Sequence, residues 1–262
     1  MLFKYSLILK AIAEIHCYRE QEVAWSSHFV PDSTGVHIHK FAINEWTHLI
    51  EEKPSLISPA ESEKSSRFYH REDAQRYLLA RIVCRLLLAK YNGLNPSGIE
   101  FLKGRFDKPY LKQAGTLKTP CFNWSHSHNL LVIAVSCLEV GADVERIKDF
   151  DIESISEATF NNTEQRFLNE SENRLEDFFM LWTRKEAAVK AAGIGLNDEL
   201  KWFQVLDGYN RLSDPDTDLH AVLQNTSLIA DDAYAVSICS VSAQRPPLWF
   251  FALSPEQLAT GV

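Results

Sequence analysis

Two segments of the chain carry apolar residues at the three- and four-residue steps of an amphipathic helix. The first spans residues 72–91, where Leu79 and Val83 recur on one side while the arginines take other angles. The second spans residues 175–192 and is followed by Gly193, a residue type that ends helices readily. The pattern therefore predicts one long helix in each half of the chain.

Shorter apolar runs predict strands between and after these helices. Four runs have the composition and length of strands: residues 130–135, 140–144, 202–206 and 233–241. Residues 103–120 are polar and predict a loop, and Asn162 is placed to cap a short helix over residues 164–169. Each half thus offers a helix followed by strands, which favours two related subdomains packed face to face.

Composition and charge narrow the class of protein. The 262 residues, 45% of them hydrophobic, suffice for one large domain or two small ones with a shared core. The net charge of −8 disfavours general nucleic-acid binding, which relies on a clustered basic excess. We expect no membrane span and no secretory signal, because no run of roughly 18 apolar residues occurs and no cleavage site follows the opening residues. The scattered cysteines are expected to be reduced thiols, and the protein to be cytoplasmic.

A pair of carboxylates stands at the end of the second of these apolar runs. Asp143 and Glu145 flank Val144, so on a strand both acids share one face while Val144 points to the other. Neighbouring carboxylates repel and need a cation, a shared proton or wide solvation. Taken alone, such a pair most often marks a solvated strand end.

A third acid changes this interpretation. Glu186 and Lys190 are four residues apart on the second long helix and therefore share a face. An oxygen-only cluster of Asp143, Glu145 and Glu186 suits magnesium, which retains waters and completes its coordination shell with substrate phosphates. Lys185 and Lys190 are expected to lie beside the same phosphates.

Two histidine patterns admit alternative roles. Ser125 and His126 are adjacent, but neighbours on a strand point to opposite faces and no G-x-S-x-G motif occurs, so donation of hydrogen bonds to a phosphorylated ligand is favoured over a nucleophile and base. His37 and His39 are expected to share a strand face. Without further ligands at useful spacing, we favour ordinary packed or surface histidines over a metal site.

Taken together, residues 58–206 resemble the 4'-phosphopantetheinyl transferase superfamily, in its larger monomeric branch of the surfactin-synthetase-activating type. The most specific elements are Gly-Ala-Asp-Val-Glu at 141–145 and Trp-Thr-Arg-Lys-Glu-Ala-Ala-Val-Lys at 182–190. The supporting elements are Ser-Arg-Phe-Tyr at 66–69, Asp-Lys-Pro at 107–109 and Asn-Trp-Ser-His-Ser at 123–127. Two positions differ from the family pattern, since Glu61 stands where relatives often carry a basic residue and Trp124 where they carry a smaller apolar one.

The resemblance implies an α+β fold of two pseudo-symmetric subdomains, each a helix packed on a small, mostly antiparallel sheet, with the active site at their interface. Residues 1–138 would form the coenzyme A side, and residues 139–262 would carry the metal-binding acids and the surface for carrier-protein docking. By position, the implied metal ligands are Asp143, Glu145 and Glu186, and the implied catalytic residues are Glu186 and Lys190. The implied coenzyme A contacts are Lys64, Arg76, Lys108, Ser125, His126 and Lys190.

The activity that the resemblance implies is Mg²⁺-dependent transfer of the 4'-phosphopantetheine arm of coenzyme A to a serine of an apo acyl- or peptidyl-carrier protein. The other product would be adenosine 3',5'-bisphosphate. Glu186 would accept the serine proton directly or through a metal-bound water. We expect a monomer that binds coenzyme A and a carrier protein but neither nucleic acid nor membrane. Two alternatives stay open: a non-catalytic coenzyme A or nucleotide-binding module, and a Mg²⁺-dependent phosphohydrolase.

Overall fold

The computed structural model describes residues 24, 26, 35–112, 120–194, 200–207, 210–213, 220–231 and 233–259. The helices are α1 (Ile43–Trp46), α2 (Leu49–Glu52), α3 (Pro59–Ser65), α4 (Arg71–Asn92), α5 (Glu153–Thr159), α6 (Asn162–Glu170), α7 (Arg174–Ala192) and α8 (Pro255–Ala259). The strands are β1 (Val36–Ala42), β2 (Phe101–Lys103), β3 (Pro109–Leu111), β4 (Cys121–Ser127), β5 (Leu130–Ser136), β6 (Val140–Arg146), β7 (Asn210–Ser213), β8 (His220–Ala230), β9 (Tyr234–Val241) and β10 (Leu248–Ala252). None of the helices within these ranges combines the length and the apolarity needed to cross a membrane.

Two four-stranded sheets carry the fold, which confirms the α+β prediction. The first sheet has the strand order β10-β1-β5-β4, and the second has the order β6-β9-β8-β7. All pairings are antiparallel except that of β10 with β1. The hairpin of β2 and β3 stands apart from both sheets.

Alternate residues of β5 enter two different cores. Leu131 and Ile133 pack under α4, which covers the outer face of the first sheet. Val132 and Ala134 point the other way and join residues of β6, β8 and β9 in a core between the two sheets. The helix α7 packs on the opposite face of the second sheet. The continuous apolar run that predicted β5 therefore reflects burial on both faces.

The two halves repeat one local arrangement of helices. In each half a short helix begins with a capping box, formed by Ser58 with Glu61 and by Asn161 with Glu164. A long helix follows, and it ends at a glycine in the left-handed conformation, with φ of 59° at Gly93 and 66° at Gly193.

The capping-box glutamates form the same buried ion pair in both halves. Glu61 pairs with Arg85 of α4 at 3.0 Å, and Glu164 pairs with Lys185 of α7 at 2.9 Å. Arg85 and Lys185 each stand eight residues before the glycine that ends their helix. The pseudo-symmetry therefore extends to individual side chains, although the two halves share little sequence.

Several predicted boundaries differ from the structure. Asn161 rather than Asn162 caps α6. Residues 202–206 do not form a strand, because the chain makes a 3₁₀ turn at Leu200–Trp202 and the N–H of Val205 then donates to Glu164 Oε1 at 2.9 Å. The predicted loop over residues 103–120 contains part of the β2 and β3 hairpin, and its residues 113–119 lie outside the described ranges.

The last described strand and helix return to the first sheet. β10 pairs with β1 in parallel, with Ile38 opposite Phe250. Leu253 and Leu258 join the core under α4. The division of the chain at residues 138 and 139 stays a prediction, and β10 and α8 lie spatially with the first half.

The strand β6 and the helix α7 touch backbone to backbone at Gly141. A Cβ at this position would lie 2.0 Å from Ala187 O and 2.4 Å from Ala191 N, so only glycine permits the contact. We expect Gly141→Ala to lower the free energy of unfolding by about 1–3 kcal/mol or more, because α7 must move away from β6.

Urea titration measures this loss, with Gly98→Ala as the matched control. No described atom lies within 4 Å of a Cβ at Gly98, so its substitution should change the free energy of unfolding by less than about 0.5 kcal/mol. Equal stability of the two variants would contradict the close contact.

Candidate functional site

The predicted acids meet where β6 faces α7. Asp143 and Glu145 project from β6 on the side of Gly141, whereas Val144 is buried in the core between the sheets. The predicted separation of the acids from Val144 by the two-residue period is confirmed. Lys190 reaches across from α7, and its Nζ lies 2.6 Å from Asp143 Oδ1.

The edge strand β4 lies along β6, and polar side chains connect the two strands. Three residues of β4 that are two positions apart make these contacts: Asn123, Ser125 and Ser127. Asn123 Oδ1 accepts from the N–H of Ala142 at 2.9 Å. The hydroxyl of Ser125 donates to Asp143 at 2.8 Å, and the hydroxyl of Ser127 donates to Glu145 at 2.8 Å. The motif at residues 123–127 therefore fastens the first sheet to the strand that bears two of the acids.

Burial makes all three acids hard to ionise, and the charge of Asp143 adds to this effect at the other two. Burial raises the pKa of Asp143, although the Lys190 ammonium and the Ser125 hydroxyl oppose the effect. Burial also raises the pKa of Glu145, with a further increase from the charge of Asp143. The pKa of Glu186 rises to about 7, first through burial and then through the charge of Asp143. A cation among the carboxylates would offset these costs.

The donor atoms fit a magnesium ion shared with a phosphorylated substrate. Asp143 Oδ2 is buried and has no hydrogen-bond partner among the described residues, whereas Oδ1 accepts from Lys190 and Ser125. In the described part of the chain, no group of three or more His, Cys, Asp or Glu side chains is arranged to hold a metal ion by itself. Magnesium commonly binds only one or two carboxylates and takes its other ligands from water and phosphates.

A cleft of about 810 Å³ opens beside the acids. Its walls come from α3, α4, the β2 and β3 hairpin, β4 and α7. Glu186 and Lys190 line it, as do Lys64 and Lys108 from the first half. The volume is that of a site for a ligand of nucleotide size. The structure thus brings three of the predicted coenzyme A residues into one cavity.

The other three predicted coenzyme A residues lie outside this lining. Ser125 belongs to the acid site, since its hydroxyl donates to Asp143 and lies 3.5 Å from Lys190 Nζ. Arg76 pairs with Asp73 on α4. Burial lowers the pKa of His126, and the positive charge of Arg76 lowers it further, so these two residues are electrostatic neighbours.

The prediction that Lys185 lies beside the phosphates is wrong. Its side chain is completely buried, and its Nζ pairs with Glu164 at 2.9 Å and donates to the carbonyl of Leu200 at 2.8 Å. Because successive helix residues are rotated by about 100°, Lys185 points into the core of the second half while Glu186 points into the cleft. Lys185 is therefore a structural residue.

His37 and His39 are packed histidines, as the sequence favoured. Both are buried on β1. His37 Nδ1 lies 2.7 Å from the hydroxyl of Tyr91, and His39 Nε2 lies 2.9 Å from the same oxygen. Their facing side chains thus attach β1 to the last turn of α4.

Sequence reasoning missed a group of side chains on the cleft wall. The guanidinium of Arg81 lies 3.4 Å from the ring centroid of Tyr77, and its Nε lies 3.5 Å from Glu61 Oε1. The same guanidinium lies 5.6 Å from the ring centroid of Trp124. Glu61 and Trp124, the two departures from the family pattern, therefore both contact Arg81. The arginines of α4 were visible as a polar face, but the periodicity did not distinguish which of them line the cleft.

The raised pKa of Glu186 predicts that the stability of the metal-free protein depends on pH. The folded pKa of about 7 exceeds the ordinary value of 4.5, so between these values the folded chain holds a proton that the unfolded chain has released. The free energy of unfolding should therefore fall as the pH rises from 4.5 to about 7, by at most about 3 kcal/mol. Below pH 4.5 Glu186 is protonated in both the folded and the unfolded chain, so it does not make the free energy of unfolding depend on pH.

Urea titrations between about pH 5 and pH 8 measure this decline. The variant Glu186→Gln does not titrate and should lack this part of the decline, so it should gain stability relative to the unmodified protein as the pH rises. Parallel pH profiles for the two proteins would contradict the raised pKa.

Comparisons with known proteins agree with this arrangement. Residues 43–138 match the family described as 4'-phosphopantetheinyl transferase, N-terminal, and residues 139–239 match the 4'-phosphopantetheinyl transferase superfamily. A 4'-phosphopantetheinyl transferase of Bacillus subtilis is 34% identical over 191 residues, which are 71% of this chain and 83% of that protein. The 4'-phosphopantetheinyl transferase Sfp of Bacillus subtilis strain 168 is 31% identical over 73% of this chain and 85% of its own length. For the 4'-phosphopantetheinyl transferase HetI of Nostoc, the identity is 30% over 63% of this chain and 71% of that protein.

The matches cover both the cleft and the acids of β6 and α7, which lie within residues 43–239. The identity to two of the relatives extends over more than four fifths of their length. The chain therefore belongs to the 4'-phosphopantetheinyl transferase superfamily, in the branch that includes Sfp.

Proposed function

We propose that this protein transfers the 4'-phosphopantetheine arm of coenzyme A to a serine of an acyl- or peptidyl-carrier protein, with Mg²⁺, and releases adenosine 3',5'-bisphosphate. One observation carries the proposal: Asp143, Glu145, Glu186 and Lys190 converge beside a cleft large enough for coenzyme A. Membership of the family, whose members Sfp and HetI are named as transferases of this kind, supports the same reaction.

The proposed magnesium ligands are Asp143, Glu145 and Glu186, together with oxygens of the coenzyme A diphosphate. When bound, the ion would neutralise negative charge on the diphosphate. Asp143 Oδ2 is well suited to bind this ion, because it is buried and has no hydrogen-bond partner among the described residues. Lys190 lies against the other oxygen of the same carboxylate, so its ammonium can contact the diphosphate and stabilise charge on the leaving phosphate.

In the proposed reaction the carrier serine hydroxyl attacks the β-phosphorus, and the bond to the oxygen shared with the α-phosphate breaks. The serine proton passes to Glu186, directly or through a water. Burial and the charge of Asp143 raise the pKa of Glu186 to about 7, which suits proton transfer near neutral pH. The rest of catalysis is positioning and electrostatic stabilisation.

We further propose a monomer that works in the cytoplasm and docks its carrier protein near the acids, through the second half of the molecule. Carrier proteins present an acidic helix beside their serine, so a basic or apolar docking surface is expected. The net charge of −8 argues against nucleic acid as a partner.

One incubation tests the function against both alternatives. Purified protein, coenzyme A and Mg²⁺ are combined with a panel of apo acyl- and peptidyl-carrier proteins, and the carrier masses are measured. Transfer raises a carrier mass by one phosphopantetheine group. A phosphohydrolase would instead cleave coenzyme A without any carrier, and a binding module would leave coenzyme A and carriers unchanged. A folded, metal-loaded protein that modifies no carrier in the panel would overturn the proposal.

The cationic residues near the cleft should divide between the two phosphate groups of coenzyme A. Charge-assisted hydrogen bonds to phosphate contribute roughly 1.5–3 kcal/mol, so loss of one should weaken binding about tenfold to a hundredfold. We expect this loss for Lys64→Ala and Lys108→Ala, since both lysines line the cleft. Arg76→Ala and His126→Ala test the pair that lies outside the lining.

Calorimetry with coenzyme A and dephospho-coenzyme A assigns each residue. Replacing a residue that contacts the 3'-phosphate should weaken the binding of coenzyme A only. Replacing a residue that contacts the diphosphate should weaken the binding of both ligands. Lys112→Ala is the control, because Lys112 pairs with Glu100 at the surface and does not line the cleft. If all four variants bind coenzyme A as tightly as the control, the nucleotide lies elsewhere.

A further inference from the structure

Ser127 has the same relation to Glu145 that Ser125 has to Asp143. Its hydroxyl donates to Glu145 Oε2 at 2.8 Å and accepts from the N–H of Arg146 at 3.1 Å. Both contacts cross from β4 in the first sheet to β6 in the second. Ser127 therefore holds both the carboxylate of Glu145 and the backbone of the residue that follows it.

Glu145 needs such a contact more than Asp143 does. Asp143 is buried and held by two partners, Lys190 and Ser125. Glu145 lies at the end of β6, where the chain becomes exposed, and carries one more rotatable bond. The hydrogen bond from Ser127 restricts this freedom, because the hydroxyl proton is directed to one carboxylate oxygen and leaves the other for a cation.

We propose that Ser127 is a positioning residue that orients Glu145 towards the magnesium ion and joins the metal site to the first half of the molecule. The inference rests on the proposed function, in which Glu145 is a metal ligand. Residues that hydrogen-bond a metal ligand commonly change metal affinity or activity about tenfold to a hundredfold when they are replaced.

Ser127→Ala should raise the Mg²⁺ concentration needed for half-maximal transfer by about tenfold, with kcat at saturating Mg²⁺ close to that of the unmodified protein. Calorimetric titration of Mg²⁺ into the protein with coenzyme A should show the same loss of affinity without any turnover. Ser127→Thr keeps the hydroxyl and should restore most of the affinity. If the substitutions acted only by destabilising the fold, both variants would lose transfer activity to a similar extent, and added Mg²⁺ would not restore it.

Ser136 offers a closely matched control. Its hydroxyl donates to Gly35 O at 2.8 Å and accepts from the N–H of Leu138 at 3.1 Å, as Ser127 does with its own partners, but it lies away from the acids. Ser136→Ala should therefore remove an equivalent pair of hydrogen bonds and leave the Mg²⁺ requirement unchanged. An equal increase for Ser136→Ala would show that the effect is one of general stability.

A double-mutant cycle with Glu145→Gln separates the inference from the function on which it rests. If Ser127 acts through Glu145, then adding Ser127→Ala to Glu145→Gln should raise the Mg²⁺ requirement by less than about twofold. An unchanged Mg²⁺ affinity in Glu145→Gln would reject Glu145 as a ligand. A normal affinity in Ser127→Ala, combined with a weakened Glu145→Gln, would overturn the role of Ser127 while leaving the proposed function in place.

Discussion

Glu186→Gln is expected to lower kcat/KM for carrier modification by at least about a hundredfold, because it removes both the proposed base and a proposed metal ligand. Asp143→Asn should have an effect of similar size. It removes the negative charge of the free Oδ2 oxygen and leaves Lys190 without its carboxylate partner.

Neither variant should lose its fold. Burial raises the pKa of both carboxyls above their ordinary values, so the folded protein already disfavours their charged forms and accepts a neutral isostere. Steady-state transfer assays at saturating Mg²⁺, combined with thermal unfolding, separate activity from stability. Glu157→Gln, at an exposed position of α5, is the control and should retain full activity. Near-normal turnover by Glu186→Gln or Asp143→Asn would remove these acids from the proposed mechanism.

Glu164→Gln is expected to cost about 3–5 kcal/mol of unfolding free energy, because it leaves the ammonium of Lys185 buried without its counterion. Both side chains are fully buried and lie 2.9 Å apart. Glu164 also accepts from the N–H groups of Asn161 and Val205, at 3.0 and 2.9 Å, so its charge supports three separate segments. Transfer activity at low temperature should persist, since neither residue lines the cleft.

Two further variants isolate the buried charge in urea titrations. Glu170→Gln removes an exposed pair in which Arg166 lies 3.9 Å away, and it should cost less than about 0.5 kcal/mol. The double variant Glu164→Gln with Lys185→Met should recover a large part of the loss, because no uncompensated ammonium then remains. If Glu164→Gln is no less stable than Glu170→Gln, the buried pair does not hold the second half together.

The sequence predicted the helices and strands in which apolar residues follow a clear pattern. The bounds of α4 and α7 agree with expectation to within one residue at each end, because an apolar stripe and a terminal glycine mark both helices. Burial on both faces made β5 visible as a continuous apolar run. The two-residue period also placed Asp143 and Glu145 correctly on one face.

Features set by tertiary contacts were harder to predict. Lys185 and Glu186 are adjacent, and only the packing of α7 against the second sheet determines which of them faces the cleft. Residues 202–206 read as a strand because they are apolar, but Glu164 supplies the hydrogen-bond partner that a neighbouring strand would have supplied. At the tip of the β2 and β3 hairpin, Phe106 and Asp107 adopt the left-handed conformation. A glycine would have indicated this conformation in the sequence, but these two residue types do not.

The parallel pairing of β1 with β10 has a consequence for the order in which the molecule assembles during synthesis. These strands are separated by more than 200 residues, so their pairing closes one of the longest loops in the chain. β5 and β4 follow β1 much sooner and can pair before the second sheet has been made. Until residues 248–252 leave the ribosome, the outer edge of β1 has no β10 to cover it, and this edge is where unfinished chains are most exposed to pairing with one another.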